Sequence, residues 1–339
     1  MLMLLLPISF LAALLLLGCM YQFVSARRDR RRYASSGRWI EIGDRQNLFV
    51  VEKGTGSTTV VFESGIAATH LNWCAIQREV SRFACAVGYD RCDLGWSSPS
   101  RTARTPANAT RELHRMLEVA GIHPPYILVG HSFGGMVMRQ FALLYPDEIA
   151  GVILIDPMRC CEWPPINADR QATLNRAIRY LRYAVPVAHI GLARIAVTSA
   201  LCGSGILARR MANATGDGGR HVLGRVTGEL AKMPTEILPS IAAHWSRPDF
   251  YKGMRRHIQA VPETVREMCN ADSIKHIPVL VLTPEQSTPL SHEEIGRIGS
   301  NAKQVIASES GHWIHLDRPD LVVQSIFEMV LQFDPETVS

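Results

Sequence analysis

The chain has 339 residues, of which 47% are hydrophobic and 20% charged, a composition typical of a folded globular protein that excludes a disordered one. The formal net charge is +5, but residues 27–32 hold five arginines and one aspartate, so +4 of it is concentrated in six residues. The remainder is nearly neutral, which argues against a nucleic-acid-binding protein.

The N-terminal segment has the composition of a membrane helix. Residues 2–24 carry no charged side chain, and a helix of this length, at ~1.5 Å per residue, crosses a hydrocarbon layer of ~30 Å. By the positive-inside rule, the arginine cluster that follows would keep the downstream domain cytoplasmic, and the orientation stays open. We expect residues 1–25 to form a single-pass anchor and residues 26–37 a basic linker. The run Leu16–Cys19 resembles a lipoprotein cleavage site, so a lipoprotein is the second hypothesis, ahead of a secreted form with a cleaved signal peptide.

Downstream, short apolar β-branched runs alternate with segments of helical spacing. The predicted strands are 38–42, 48–52, 59–62, 84–89, 126–129, 151–155, 279–282 and 303–306, and the predicted helices are 106–120, 136–145 and 321–333. This alternation predicts an α/β domain with a doubly wound, mostly parallel sheet.

Residues 158–270 lack that alternation. They include helical patterning over 168–211, and a structureless loop of this length is implausible inside a compact domain. We therefore predict a helical cap at 158–270, inserted between two parts of an α/β core at 38–157 and 271–335. The eight cysteines show no metal-ligand or disulfide spacing, so we expect buried thiols. The sequence shows no metal site or dinucleotide-binding loop, and we expect neither a metal nor a cofactor.

A Gly-x-Ser-x-Gly motif places Ser132 between Gly130 and Gly134, directly after a predicted strand and before a predicted helix. A serine on such a sharp turn adopts strained backbone geometry and projects its hydroxyl clear of the sheet, and the flanking glycines avoid clashes there. The N–H of Phe133 faces the position where negative charge develops on an attacked carbonyl group. The motif predicts Ser132 as a nucleophile.

Three segments together resemble the α/β-hydrolase superfamily: Tyr89–Ser97, Gly130–Gly135 and Ser310–Asp317. The resemblance extends from about residue 38 to residue 334 and leaves out the cap. It implies the α/β-hydrolase fold and a triad in the chain order serine, acid, histidine. In that order His312, which follows a predicted strand near the C-terminus, is the general base that a serine nucleophile requires.

The resemblance leaves two candidates for the acid. The superfamily usually carries it after the strand that follows the cap, where this chain has Glu285 but places Ser287 at the expected position. A known alternative lies at the end of the preceding strand, where this chain has Asp156. We favour Asp156 over Glu285 as the carboxylate that fixes the tautomer of His312.

The oxyanion hole requires a second backbone donor, which the resemblance places after the third strand. Gly65 is present there, and the N–H of Ile66 is expected to act together with that of Phe133. Asp90 and Arg91 are expected to form a structural ion pair or to anchor a loop.

Acyl transfer is the chemistry that these residues favour. A serine at this turn argues against dehalogenase and epoxide hydrolase relatives, which use an aspartate nucleophile. Apolar runs at 184–190 and 195–201 favour a hydrophobic acyl group. We expect a serine hydrolase that cleaves a small, lipid-like ester at a membrane. One alternative is an acyltransferase. The other is a non-catalytic binding protein at the membrane, which is favoured by the presence of Ser287 where the superfamily usually has its acid. The oligomeric state stays open.

Overall fold

The computed structural model describes residues 2–159, 168–202 and 232–334. The chain divides into two compact units, one within residues 1–36 and 173–255 and the other within residues 37–172 and 256–339. We call the first the helical unit and the second the sheet unit. Part of the predicted cap, at 160–167 and 203–231, lies outside the described residues, and the boundaries of core and cap stay a prediction.

Eight strands form one sheet in the order β1-β2-β4-β3-β5-β6-β7-β8. They are β1 (Arg38–Gly43), β2 (Gln46–Lys53), β3 (Thr59–Glu63), β4 (Cys85–Asp90), β5 (Tyr126–His131), β6 (Ile149–Ile155), β7 (Val279–Pro284) and β8 (Ala302–Ala307). β2 pairs antiparallel with β1 and β4, and every pair from β4 to β8 is parallel. This topology confirms the predicted doubly wound, mostly parallel sheet.

The helices follow the alternation of the chain. They are α1 (Leu2–Tyr33), α2 (Cys74–Val80), α3 (Pro106–Ala120), α4 (Phe133–Leu144), α5 (Ala168–His189), α6 (Leu192–Cys202), α7 (Leu238–Trp245), α8 (Pro248–Cys269), α9 (His292–Ile298), α10 (Ile314–Asp317) and α11 (Pro319–Phe333). α3 begins after the capping side chain of Thr105 and ends at Gly121, whose φ of +70° suits glycine.

Two hydrophobic layers cover the two faces of the sheet. On one face, Leu113 of α3 and Phe141 of α4 pack with strand residues such as Leu128. On the other, Ile76 of α2 and Ile326 of α11 pack with the alternate strand residues. β3, β5 and β6 are buried along their whole length, as expected of parallel strands covered on both faces. The carboxyl ends of these strands carry the residues of the site.

The helical unit contains α1. Within the described ranges, one helical stretch, residues 7–36, is long and apolar enough to cross a membrane, and α5 and α6 would add a second only if they counted as one span across their 98° bend. A signal sequence has the same properties, so membrane attachment stays a prediction. In the segment 26–37, α1 continues through the arginines to Tyr33 and a 3-10 turn follows at Ala34–Ser36, and its role as a linker stays a prediction.

Candidate active site

Ser132 occupies a sharp turn between the last residue of β5 and the first residue of α4. Its φ of +55° and ψ of −118° lie in a region that non-glycine residues rarely adopt. A Cβ atom on Gly130 would lie 2.5 Å from the carbonyl oxygen of Gly134, and one on Gly134 would overlap the carbonyl oxygen of Glu63. The glycines of the motif are therefore needed because backbone approaches backbone at this turn.

His312 and Asp156 form a hydrogen-bonded pair. The Nδ1 atom of His312 lies 2.6 Å from Oδ2 of Asp156, and the two side chains are 45% and 18% exposed. Asp156 directly follows β6 with a φ of +38°, and its N–H donates to the carbonyl oxygen of Leu282 on β7. When the carboxylate accepts the Nδ1 proton, Nε2 is left as the basic nitrogen of the ring.

Glu285, the second candidate acid, has a different partner. Its Oε2 atom accepts a hydrogen bond of 2.8 Å from the N–H of Glu309. Its own N–H donates to Ala307 at the end of β8, and the N–H of Ser287 donates to Pro284. These contacts hold the turn after β7 against the loop after β8. Of the two carboxylates, the structure brings Asp156 to the imidazole.

Two further histidines lie beneath His312. Nε2 of His131 donates to the carbonyl oxygen of His312 at 2.9 Å, and the two rings lie 4.6 Å apart. His315 stacks on Trp73 at 4.7 Å and lies 4.5 Å from His131. Burial, reinforced by the neighbouring histidines, holds the pKa of His131 well below its usual value and lowers the pKa of His315 to about 3. Both rings are therefore neutral near neutral pH and support the loop that carries His312.

The two predicted oxyanion donors lie on neighbouring segments. Phe133 begins α4 and is fully buried, and Ile66 packs against the cluster that Phe133 forms with Ala109 and Val137. A Cβ atom on Gly65 would lie 3.5 Å from Cβ of Ser132. The loop after β3 therefore passes directly beside the turn at Ser132.

A buried arginine anchors this loop. Arg91 donates to the carbonyl oxygens of Ser64 and Gly65 at 2.8 and 2.9 Å and forms an ion pair with Glu63. The Tyr89 hydroxyl donates to the same Glu63 carboxylate. Burial raises the pKa of Glu63, and the Arg91 charge opposes that rise. The guanidinium of Arg91 also lies 4.9 Å from the centre of the Phe133 ring, so one side chain contacts both segments that carry the predicted oxyanion donors.

Sequence reasoning missed two buried residues of this region. Glu63 ends the apolar strand β3, and a charged residue at that position was the available signal. His257, on α8, meets the edge of the Phe133 ring at 5.7 Å, and burial holds its pKa well below the usual value. No local motif marks His257. Within the described residues, no group of three His, Cys, Asp or Glu side chains is placed to hold a metal ion.

A doubly wound sheet with a strained serine at the end of its central strand defines the class of α/β hydrolases. Residues 58–319, more than half of the chain, match the family model of the alpha/beta hydrolase fold, so the chain belongs to that family. Protein YqjL of Bacillus subtilis is 32% identical over 105 residues, which cover 31% of this chain and 42% of YqjL. The chain thus matches less than half of that relative.

Solved structures share the fold at low sequence identity. The epoxide hydrolase CorEH is 13% identical with a TM-score of 0.64, and the match covers 88% of this chain and 99% of CorEH. Est816, an N-acyl homoserine lactone degrading enzyme, is 16% identical with a TM-score of 0.57, over 86% of this chain and 99% of Est816. At these identities the likeness shows the fold alone.

Proposed function

We propose that the chain is a serine hydrolase that cleaves an ester through an acyl-enzyme on Ser132. The observation that carries the proposal is the strained turn of Ser132 after β5, whose N–H donates to Ile155 at the end of β6, next to the pair that Asp156 forms with His312 at 2.6 Å. Nucleophilic catalysis by a serine requires a base and an orienting carboxylate of this kind.

The reaction follows from this arrangement. The Ser132 oxygen attacks the substrate carbonyl carbon while its proton passes to Nε2 of His312, and Asp156 stabilises the imidazolium that forms. The N–H groups of Phe133 and Ile66 stabilise the oxyanion. The C–O bond to the leaving group breaks, and the leaving alcohol takes the proton from His312. Water, activated by the same histidine, then releases the acid and restores Ser132.

Two observations support an ester with a hydrophobic acyl group. The helical unit exposes apolar side chains on α5 and α6, including Tyr183 and Leu192, and α1 favours a location at a membrane. The serine at the turn also distinguishes this site from epoxide hydrolases of the superfamily, which use an aspartate.

The test measures the hydrolysis of p-nitrophenyl esters of graded acyl length by the full chain in detergent. We expect turnover that Ser132→Ala abolishes, while Ser287→Ala, a serine control on the turn after β7, retains it. Hydrolysis that is unchanged in Ser132→Ala would contradict the proposed nucleophile. Transfer of the acyl group to an added alcohol in preference to water would replace the hydrolase by an acyltransferase.

A further inference from the structure

A pocket of about 320 Å³ within the helical unit is lined by basic side chains and a small apolar wall. α1 contributes Arg28, Asp29 and Arg32, and α6 contributes Arg194. Ala242 and Ala243 of α7 form the apolar wall. With three arginines and one aspartate, the lining carries a net charge of +2, which favours an anion.

Arg194 holds this pocket together and keeps one donor free. Arg194 is only 6% exposed. Its Nε donates to Oε1 of Gln22 at 2.8 Å, and its Nη1 donates to Asp29 at 2.5 Å. Its Nη2 is buried and has no hydrogen-bond partner among the described residues. Buried guanidinium donors are nearly always satisfied, so Nη2 of this lining residue has the capacity to donate to an acceptor that binds in the pocket.

Arg28 and Arg32 supply the outer part of the site. They are four residues apart on α1, so their side chains project from the same face of the helix. Both are exposed, and neither forms an ion pair with a described residue. Guanidinium groups bind phosphate oxygens through paired N–H donors, so three arginines that line one pocket favour a phosphate group as its ligand.

The depth of the pocket along α1 indicates where that phosphate comes from. If the uncharged stretch 7–24 occupies the hydrocarbon layer, Arg28 lies about 6 Å beyond its end, at the level of the lipid headgroups. The bend between α5 and α6 contacts α1 closer to its N-terminus, within the uncharged stretch. There, a Cβ atom on Gly18 would lie 2.5 Å from the carbonyl oxygen of Ile190.

Exposed apolar side chains flank that bend. They are Tyr180, Tyr183, Val187, Leu192 and Ile195, each at least 40% exposed. Aromatic and aliphatic side chains of this kind enter the boundary between headgroups and acyl chains, about 5–10 Å below the headgroups. The same unit thus places apolar residues at acyl-chain depth and its arginine pocket at headgroup depth.

We propose that the pocket formed by Arg28, Arg32 and Arg194 binds the phosphate group of one anionic phospholipid. The proposal goes beyond the hydrolase function, because none of these residues belongs to the site around Ser132. Free phosphate shares the same chemistry, and the membrane depth of the pocket favours the lipid as its source.

The test is a native mass-spectrometry titration of the full chain in non-ionic detergent with phosphatidylglycerol, phosphatidylcholine or inorganic phosphate. We expect one phosphatidylglycerol to bind about tenfold more tightly than phosphatidylcholine, and Arg28→Gln and Arg32→Gln each to weaken that binding about tenfold. Arg31→Gln removes a charge from the same helix outside the pocket and should change the affinity by less than about twofold.

A second variant separates the pocket from its charge. Thr198 is an exposed residue of the pocket lining, so Thr198→Trp fills the pocket without altering any charge. It should weaken phosphatidylglycerol binding as much as the arginine variants do. Equal affinities in Thr198→Trp, Arg31→Gln and the wild type would overturn the proposal in favour of diffuse electrostatic attraction. Displacement of the lipid by millimolar inorganic phosphate would overturn the lipid source. Ester turnover enters none of these measurements, so the hydrolase proposal stands or fails separately.

Discussion

Replacing Asp156 with asparagine tests the orientation of His312. The substitution keeps the shape of the side chain but presents an amide to Nδ1, which lies 2.6 Å from the carboxylate. If the amide NH₂ donates to Nδ1, the ring proton moves to Nε2, and that nitrogen can no longer accept the proton of Ser132. Asp156→Asn should therefore lower kcat while leaving ester binding nearly unchanged.

The size of the effect follows from two contributions. Losing a hydrogen bond to a charged group costs about 1.5–3 kcal/mol, which corresponds to a rate loss of about 10-fold to 150-fold. The wrong tautomer adds to this, and in serine enzymes the combined loss reaches about 10⁴-fold. The pair is partly exposed, at 45% for His312 and 18% for Asp156, so we expect a loss of about 10³-fold to 10⁴-fold in kcat.

The matched control is Glu285→Gln, which changes the other candidate acid in the same way. Its amide oxygen still accepts the hydrogen bond from Glu309, so kcat should stay within about threefold of the wild type. The assay compares kcat and KM for one p-nitrophenyl ester across the wild type and both variants, with circular dichroism to show that each is folded. A larger loss in Glu285→Gln than in Asp156→Asn would refute the assignment of the acid.

Three further predictions concern packing, pH and the membrane. Gly134→Ala places a methyl group against the backbone of Glu63 and should lower the free energy of unfolding by about 1–3 kcal/mol. Gly296 is a helical glycine with open space around it, so Gly296→Ala should raise the free energy of unfolding by up to about 1 kcal/mol. A urea titration in which both variants change the free energy in the same direction would contradict this. Burial lowers the pKa of His315 from about 6.5 in the unfolded chain to about 3 in the folded one. Below pH 6.5 the unfolded chain therefore binds a proton that the folded chain does not, and the free energy of unfolding falls as the pH falls toward 3. His315→Phe should reduce the loss of unfolding free energy between pH 7.5 and pH 5 by about 2 kcal/mol, and an unchanged loss would argue against a neutral buried ring. Deleting residues 2–16, which leaves the contacts of α1 from Gly18 onward intact, should release the protein from pelleted membranes at high salt, which weakens the remaining contact with anionic headgroups, and persistent sedimentation at high salt would contradict α1 as the membrane span.

The sheet was predictable because each strand carries its own local signal. Parallel strands buried on both faces read as short apolar β-branched runs, and all eight predicted runs form strands, most of them extended by one or two residues. The helix predicted at 106–120 has the observed bounds, because Thr105, Pro106 and Gly121 mark its ends. The helix after Ser132 begins three residues earlier than predicted, since the glycines of the turn obscure its apolar spacing.

The contacts of the site depend on tertiary structure that no local pattern contains. Asp156 and Glu285 both follow strands at the same edge of the sheet, and only the paths of the two turns decide which carboxylate faces His312. The pairing of Glu63 with Arg91 joins residues 28 positions apart through adjacent strands. The composition of the arginine cluster does not show that α1 extends through it to Tyr33, where Asp29 accepts a hydrogen bond from Arg194 of the same unit.

The catalytic identity of Ser132 is tested most directly by covalent trapping. The folded full chain in detergent is incubated with a fluorophosphonate, and intact mass and peptide mapping locate the adduct in the wild type and in Ser132→Ala. An activated serine predicts one adduct, on Ser132, that is absent from Ser132→Ala. A wild type that stays unlabelled while its site admits a small ester, or an adduct that persists in Ser132→Ala, would contradict the proposed serine hydrolase.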